Sequence, residues 1–559
     1  PKIEIKKGEA VEISTGAAMP KGANAVVMLE YTRRFDENLE VLKAVTPGEN
    51  VVFAGSDLMA GELLVREGTL ITHREIGLLA SCGIKTVKVY RRPRVAIIST
   101  GNELLPLGEE LEHGKIYDVN STVLAAAVEE NGGEAFILGI ARDCEEEIFS
   151  KIKDGLEKCE IVLTSGSTSI GSGDLIYKVF ERVGKLLVHG IAVKPGKPTA
   201  IAFSNGKPIF GLPGYPTSCI TVFEVLVAPL IRKLSGLREN RRTIKAKTAF
   251  KIFSEKGRRE FLPVHLVSSL DHFYAYPVLG HYSGAVSAFA FSDGFLEIDE
   301  DTISIDEGEE VEVKLYSSLN PVDLVIIGSN CIGLEVLLSI MRKNRGFLAK
   351  VVNVGSTAGI LAAKKGEADI AGAHLLDENG EYNVGIAKKY GFKGYLVKGY
   401  IREQGIVVAK GNPKRISSFK DLLREEVVFI NRNKGSGTRS LIDMNFSKVA
   451  EKLGLSFEEV VSKVKGYEVE ARTHTSVAVA VATGKADAGV ALKSAAIKYN
   501  LDFIPLRSEE YDFLIPKNKM EKEIVKFFIE TLRSDEFARE LEKIEGLKTY
   551  KRTGEVLEI

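Results

Sequence analysis

Residues 164–174 read Thr-Ser-Gly-Ser-Thr-Ser-Ile-Gly-Ser-Gly-Asp. The apolar run before them, Ile161-Val162-Leu163, has the length and composition of a buried parallel strand, and residues 175–183 after them carry a helical apolar period. A small-residue loop between a strand and a helix turns backbone N–H groups outward at the positive end of the helix dipole, which suits a phosphate or another oxyanion. Thr164, Ser165, Gly166, Ser167 and Gly171 are the expected lining of that cradle, and Asp174, at the helix start, is placed to face the accompanying cation. One strand later, Lys194-Pro195-Gly196-Lys197-Pro198 adds two ammonium groups around a tight turn. Taken singly, these motifs also fit a serine-rich turn capped by Asp174 and a solvated lysine loop. Their spacing within one βα framework favours an anion site.

Working outward, short strand-like runs at 95–98, 135–140, 161–163 and 186–188 alternate with helical patterns at 120–131, 145–158 and 175–183. That alternation describes a doubly wound α/β domain over residues 92–238. Ligands of such sheets sit outside the C-terminal strand ends, where Ser99-Thr100-Gly101-Asn102-Glu103, Ser165-Gly166 and Gly211-Leu212-Pro213-Gly214 would lie. Residues 1–91 show short alternating runs such as Val26-Val27-Met28 and Val51-Val52-Phe53, predicting a small β domain. Strand-and-turn grammar returns over 239–317, predicting a β barrel, and Ser317-Ser318-Leu319-Asn320-Pro321 reads as a linker. A second α/β region spans 322–559. It contains an internal echo, Ala363-Lys364-Lys365-Gly366-Glu367-Ala368-Asp369 against Ala482-Thr483-Gly484-Lys485-Ala486-Asp487, that suggests two similar lobes.

Composition excludes several classes. The chain has 559 residues, 45% hydrophobic and 27% charged, as in soluble globular proteins. Its net charge of −1, from 75 basic and 76 acidic residues, gives no global drive toward nucleic acid or membrane surfaces. No apolar run approaches the roughly 20 residues that span a bilayer. The five cysteines are scattered without a Cys-x-x-Cys pair, which points to a reduced compartment and no structural zinc.

From residue 8 to about 317 the motifs resemble the molybdopterin molybdotransferase family, the MoeA type that includes the gephyrin E domain. The resemblance is carried by Gly8-Glu9-Ala10-Val11-Glu12-Ile13-Ser14-Thr15-Gly16-Ala17, Glu75-Ile76-Gly77-Leu78-Leu79-Ala80-Ser81, Ser99-Thr100-Gly101-Asn102-Glu103-Leu104 and Ile116-Tyr117-Asp118-Val119-Asn120-Ser121. The opening loop, the lysine turn and Gly211-Leu212-Pro213-Gly214-Tyr215-Pro216 follow in order. The resemblance implies insertion of molybdate or tungstate into adenylylated molybdopterin with release of AMP. It further implies Mg²⁺ held by Asp174, catalytic roles for Asp174, Lys194, Lys197, Ser165 and Asp118, and cofactor binding by Thr164, Gly166, Ser167, Gly171, Glu103, Pro213 and Pro216. A cytoplasmic homodimer served by an upstream adenylyltransferase is the implied setting. The chain departs from the family pattern at Ser167, Asn102 and Tyr215, and it opens at Pro1 without the family's N-terminal helical region, so a preceding segment is expected.

Residues 322–559 resemble a periplasmic-binding-protein-like domain related to oxyanion receptors. The motifs are Val354-Gly355-Ser356-Thr357-Ala358-Gly359, Ala373-His374-Leu375-Leu376-Asp377, Tyr382-Asn383, Asn431-Arg432-Asn433-Lys434-Gly435-Ser436-Gly437-Thr438-Arg439 and Thr473-His474. Two helix N-termini facing across a cleft can enclose an anion. Ser356, Thr357, Arg432, Ser436, Thr438, Arg439, Thr473 and His474 are the expected contacts, with His374 a further donor. No Walker A spacing is present, so nucleotide hydrolysis is not implied. Such a module can deliver an oxyanion through a tether. The alternative is a regulatory protein whose first half is catalytically impaired and whose second half senses molybdate, tungstate or molybdopterin.

Overall fold

The computed structural model describes residues 2–167, 174–238, 242–269, 272–278, 285–377 and 380–559. The chain divides into two compact units, Pro1–Arg91 and Arg92–Ile559. Within the first, the regular structure is a hairpin of β1 (Thr32–Phe35) and β2 (Asn38–Val41) and a helix α1 (His73–Ser81). Thr72 and Glu75 start that helix with a reciprocal capping box. The alternating runs around Val26 and Val51 do not extend into a ladder. They are joined by single bonds, Val26 N–H to Glu49 O at 3.1 Å and Asn50 Nδ2 to Val26 O at 2.8 Å. The β content is therefore smaller than the alternation predicts.

The second unit opens with the α/β domain. Its strands are β3 (Arg94–Thr100), β4 (Glu134–Ala141), β5 (Ile161–Ser165), β6 (Lys185–His189), β7 (Val193–Lys194), β8 (Ala200–Ser204) and β9 (Lys207–Leu212). The sheet order is β4-β3-β5-β9-β8-β6; the first four strands are parallel and the last two antiparallel. Helices α2 (Val119–Glu130), α3 (Glu145–Lys158), α4 (Asp174–Val183), α5 (Pro216–Val222) and α6 (Ala228–Leu234) cover it. One apolar cluster joins Val95, Ile97 and Leu163 to Leu124, Phe223 and Ile231. A separate cluster joins Ala96, Ile98 and Val162 to Ile148, Ile152 and Phe180. Burial on both faces accounts for the continuous apolar runs and keeps the parallel strands dry.

Next comes a closed barrel of β10 (Thr243–Thr248), β11 (Arg259–Ser269), β12 (His272–Pro277), β13 (Gly294–Ile298) and β14 (Glu310–Leu315), ordered β12-β10-β14-β13-β11 with β11 pairing back to β12. The short strand β7 adds to its outside, Lys194 lying opposite Glu260. The lysine turn is thereby held against the barrel.

The last region is two-lobed. Strands β15 (Leu324–Gly328) and β16 (Ala349–Asn353), with helices α7 (Ile332–Asn344) and α8 (Ser356–Lys364), begin one lobe. β17 (Ala371–Ala373) follows, then two long strands, β18 (Gly394–Val408) and β22 (Asp502–Pro516), which pair antiparallel and run through both lobes. The other lobe holds β19 (Phe429–Arg432), α9 (Gly437–Leu453), β20 (Glu470–Ala471), α10 (His474–Ala482) and β21 (Ala488–Leu492). The internal echo has a structural meaning. Asp369 accepts from Val325 N–H at 3.0 Å and Asp487 from Val428 N–H at 2.8 Å, so each copy pins its lobe's first strand.

The linker is not a free tether. Leu319 packs on the barrel core. Val267 and Tyr276 of the barrel share an apolar cluster with Val325, Ile327 and Ile360 of the first lobe. Ser269 Oγ bonds Gly366 O at 2.7 Å, Tyr276 bonds the buried Glu367 carboxylate, and Lys350 pairs with Asp293. Among the described residues, no helix is long and apolar enough to cross a membrane.

Candidate functional site

β3, β5 and β9 end together, and their C-terminal turns form the first site. Ser165 closes β5; its hydroxyl accepts from Asn120 Nδ2 at 2.7 Å and reaches Pro213 O at 3.4 Å. The Cys219 thiol lies 3.6 Å away, and burial pushes it up to about 12, so it stays protonated and unreactive. Gly166 has φ +109°, and a Cβ there would stand 2.3 Å from Thr100 O; only glycine fits. Ser167 donates to Asp143 at 2.5 Å, and Asp143 is bonded to Asn102 on both sides. Thr164 is fully buried, with its hydroxyl unpartnered among the described residues. Gly171 lies outside the described residues. The backbone of Asp174 opens α4, but its side chain is also outside them.

A cavity of about 400 Å³ adjoins these turns, lined by residues 193–198, Pro213, Tyr215, Thr217, Ser218, Arg258, Glu260 and Pro263. Both lysines line it. Lys194 stands 3.2 Å from Glu260 and 3.7 Å from Glu255. Lys197 is exposed and makes no ion pair among the described residues. Pro216 begins α5 beside Tyr215. Two expected residues stand apart. Asp118 caps α2, accepting from Ser121 N–H at 3.1 Å and Ser99 Oγ at 2.8 Å, and is buried beneath the turn. The Glu103 carboxylate folds against Gly101 instead of reaching the cavity. Arg258, Glu260 and Asn120 were not singled out by sequence. The first two come from the barrel, which no local pattern joins to the lysine turn. Among the described residues, no three His, Cys, Asp or Glu side chains group to hold a metal.

The second site is a buried charge cluster in the two-lobed region. Arg402, 1% exposed, bonds Glu509 Oε2 from Nε at 2.9 Å and lies over the Tyr511 ring. Glu509 Oε1 is 2.8 Å from His374 Nδ1, whose other nitrogen is 2.9 Å from Ser329 Oγ. A carboxylate only accepts, so Nδ1 carries the proton and Nε2 accepts from the serine. Burial alone would raise Glu509, yet Arg402 and His374 hold it down at about 2. Burial, then Arg402, lowers Arg432 to about 10, still cationic at neutral pH. Burial depresses His374 despite Glu509, and burial beside Arg432 and Arg402 depresses His474 further, so both imidazoles are neutral.

The first turns of three helices adjoin this cluster. Ser356 begins α8 and accepts from His374 N–H at 3.2 Å. A Cβ on Gly437, the first residue of α9, would stand 2.9 Å from His374 Nδ1, and Thr438 bonds Gln404 Nε2 at 3.2 Å. His474 begins α10. Ser436 and Thr473 act as caps, accepting from Arg439 N–H at 3.2 Å and Ser476 N–H at 3.0 Å. Thr357 follows Ser356 in the first turn of α8. Arg439 does not join the cluster: it is taken up by Asp443 at 2.9 Å and Glu470 at 3.2 Å. Sequence reading missed Arg402, Gln404 and Glu509. Their signal is weak, because the two long strands that carry them also hold charged residues such as Lys398, Glu403, Arg507 and Asp512.

Comparison with known proteins agrees with this layout. The family descriptions that match are "MoeA N-terminal region (domain I and II)" over residues 1–83, "Probable molybdopterin binding domain" over 96–233, "MoeA C-terminal region (domain IV)" over 245–316 and "PBP superfamily domain" over 338–533. A protein named for molybdopterin biosynthesis in Methanocaldococcus jannaschii is 35% identical over 320 residues, covering 56% of this chain and 77% of its own. The chain belongs to the MoeA family. A molybdopterin molybdenumtransferase of Nostoc is 36% identical, covering 49% of this chain and 65% of that relative. A solved MoeA protein of Pyrococcus horikoshii is 44% identical, covers 57% of this chain and 78% of that one, and has a TM-score of 0.48. The MoeA-type half and the two-lobed domain thus match separate family descriptions within one chain.

Proposed function

We propose that this chain is a molybdopterin molybdotransferase that inserts molybdate or tungstate into adenylylated molybdopterin and releases AMP. The observation that carries the reading is the cavity of about 400 Å³ where Lys194, Lys197 and Arg258 converge beside the Ser165–Gly166 turn. The substrates are a phosphoanhydride and a tetrahedral oxyanion. Cations lining the cavity stabilise the negative charge that shifts onto AMP as the anhydride breaks. Glu260 anchors Lys194, whereas Lys197 is free to follow a moving phosphate. Asp118 supports the site from beneath as a helix cap. Asp174 is the residue offered to Mg²⁺, a hard cation that would neutralise phosphate oxygens when bound. The activity belongs in a cytoplasmic homodimer supplied by an adenylyltransferase, and the two-lobed domain serves it as an anion- or cofactor-binding module.

Release of AMP from adenylylated molybdopterin, followed by chromatography, tests this directly. Asp174→Asn is expected to abolish it, and Lys197→Ala to slow it about a hundredfold. Unchanged turnover in both variants would refute the assignment.

A further inference from the structure

We propose that the two-lobed domain holds one doubly charged, unprotonated tetrahedral oxyanion of the molybdate, tungstate and sulfate kind between the first turns of α8, α9 and α10. Arg432 is its principal cation and the Arg402–Glu509–His374 chain the frame that positions it. The inference deepens the binding-module reading above and rests on it.

Arg432 is 6% exposed, and its Nε and Nη1 have no partner among the described residues; Nη2 alone is used, by Arg472 O at 3.1 Å. Buried charged donors left unpaired are strongly unfavourable, so this guanidinium calls for acceptor oxygens. His474 Nδ1 and Gln404 Oε1 are likewise buried without partners.

Charge fixes the class of anion. Arg402 and Glu509 cancel, and His374 and His474 are neutral, leaving one positive charge on Arg432. Three helix N-termini at about half a charge each bring the local sum to roughly 2.5, which suits a dianion. Neighbouring carboxylates face other cations, Asp443 and Glu470 sharing Arg439 and Glu510 and Asp512 sharing Lys398, and none pairs with Arg432 among the described residues.

Proton bookkeeping narrows it further. Both oxygens of Glu509 are committed, so no charged acceptor remains to receive a proton from the ligand. The adjustable groups can all donate. Turning over the Gln404 amide lets Oε1 accept from Thr438 and frees Nε2 for the anion. A hydrogen phosphate would find only neutral acceptors for its proton, Gln404 Oε1 or the His474 ring, in place of the stronger carboxylate acceptor.

The test is isothermal titration of the full chain, without pterin, using sodium molybdate, tungstate, sulfate and phosphate in turn at pH 7.5. One site is expected, with molybdate or tungstate at least tenfold tighter than phosphate and a matching rise in unfolding temperature. Arg432→Gln should weaken binding about a hundredfold, and Thr438→Val about tenfold, with Arg432→Lys recovering part of the loss. No heat with any of the four salts, phosphate as the tightest ligand, or full affinity in both Arg432→Gln and Thr438→Val would overturn the proposal. Because AMP release is not involved, loss of turnover with binding intact would refute the transferase reading alone.

Discussion

At the lysine turn the cations are partly solvated, whereas at Arg432 the cation is dehydrated and short of hydrogen-bond partners. Lys194 keeps carboxylates at 3.2 and 3.7 Å as stand-ins for a ligand, and Lys197 stays in water. Exchanging the Glu255 partner costs little, because exposed ion pairs are worth about 1 kcal/mol or less, while the buried Glu260 keeps the lysine in place. That suits a substrate that must enter, react and leave. The cluster around Arg432 has no solvent to fall back on, and its frame is complete without the ligand. That suits recognition of one anion without chemistry. The two sites also differ in what holds them: the first depends on backbone shape at Gly166, the second on the Arg402–Glu509–His374 chain.

Breaking that chain should have the largest effect. Glu509→Gln leaves Arg402 buried without its counter-charge and is expected to destabilise the two-lobed domain by about 4 kcal/mol, measured by chemical denaturation. Gly166→Ala attacks the first site instead. A Cβ 2.3 Å from Thr100 O forces the backbone to move, costing about 3 kcal/mol and removing turnover. Wild-type unfolding temperature with G166A turnover intact would show that the turn tolerates the shift.

Acid sharpens the contrast, because only the second site contains depressed histidines. His374 and His474 take up protons below about pH 6.5 when unfolded but resist them when folded. Stability of the two-lobed domain should therefore fall as pH drops through about 6.5. A second loss should begin below about pH 4.3, where unfolded Glu509 is protonated, and be complete near its folded value of about 2. His474→Gln should flatten the first of these limbs in a denaturation midpoint series across pH.

The smallest expected change concerns the junction between the halves. Tyr276→Phe strands the Glu367 carboxylate, which burial already raises, and should cost about 1–2 kcal/mol. A resulting loss of cooperativity between barrel and two-lobed unfolding would be visible by calorimetry. A single unchanged transition would show that the apolar cluster with the Ser269–Gly366 and Lys350–Asp293 contacts suffices to fasten them.

Much of this architecture is legible in the chain. The 2.0 and 3.6 periods place β3 to β6 and α2 to α4 within a residue or two, because each element buries a continuous apolar face. The Asp369 and Asp487 echo also reads directly, as each aspartate performs the same strand-pinning bond. Residues 1–91 were less legible, since alternation marks extended backbone but not the partner it would pair with. Glu260 and Arg258 were missed because their relation to Lys194 is made by strand pairing across separate domains. Arg439 looked like a ligand because it lies in a Gly-Ser-Gly-Thr loop. The carboxylates that claim it lie four residues and one strand away, at Asp443 and Glu470.

A crystal of the full chain soaked in sodium tungstate, with anomalous scattering recorded at the tungsten edge, tests the two-site account most directly. One strong peak is expected beside Arg432, between the first turns of α8, α9 and α10, and a weaker one in the cavity beside Lys197. A map with no peak at Arg432, or with tungsten only on exposed lysines elsewhere, would contradict it.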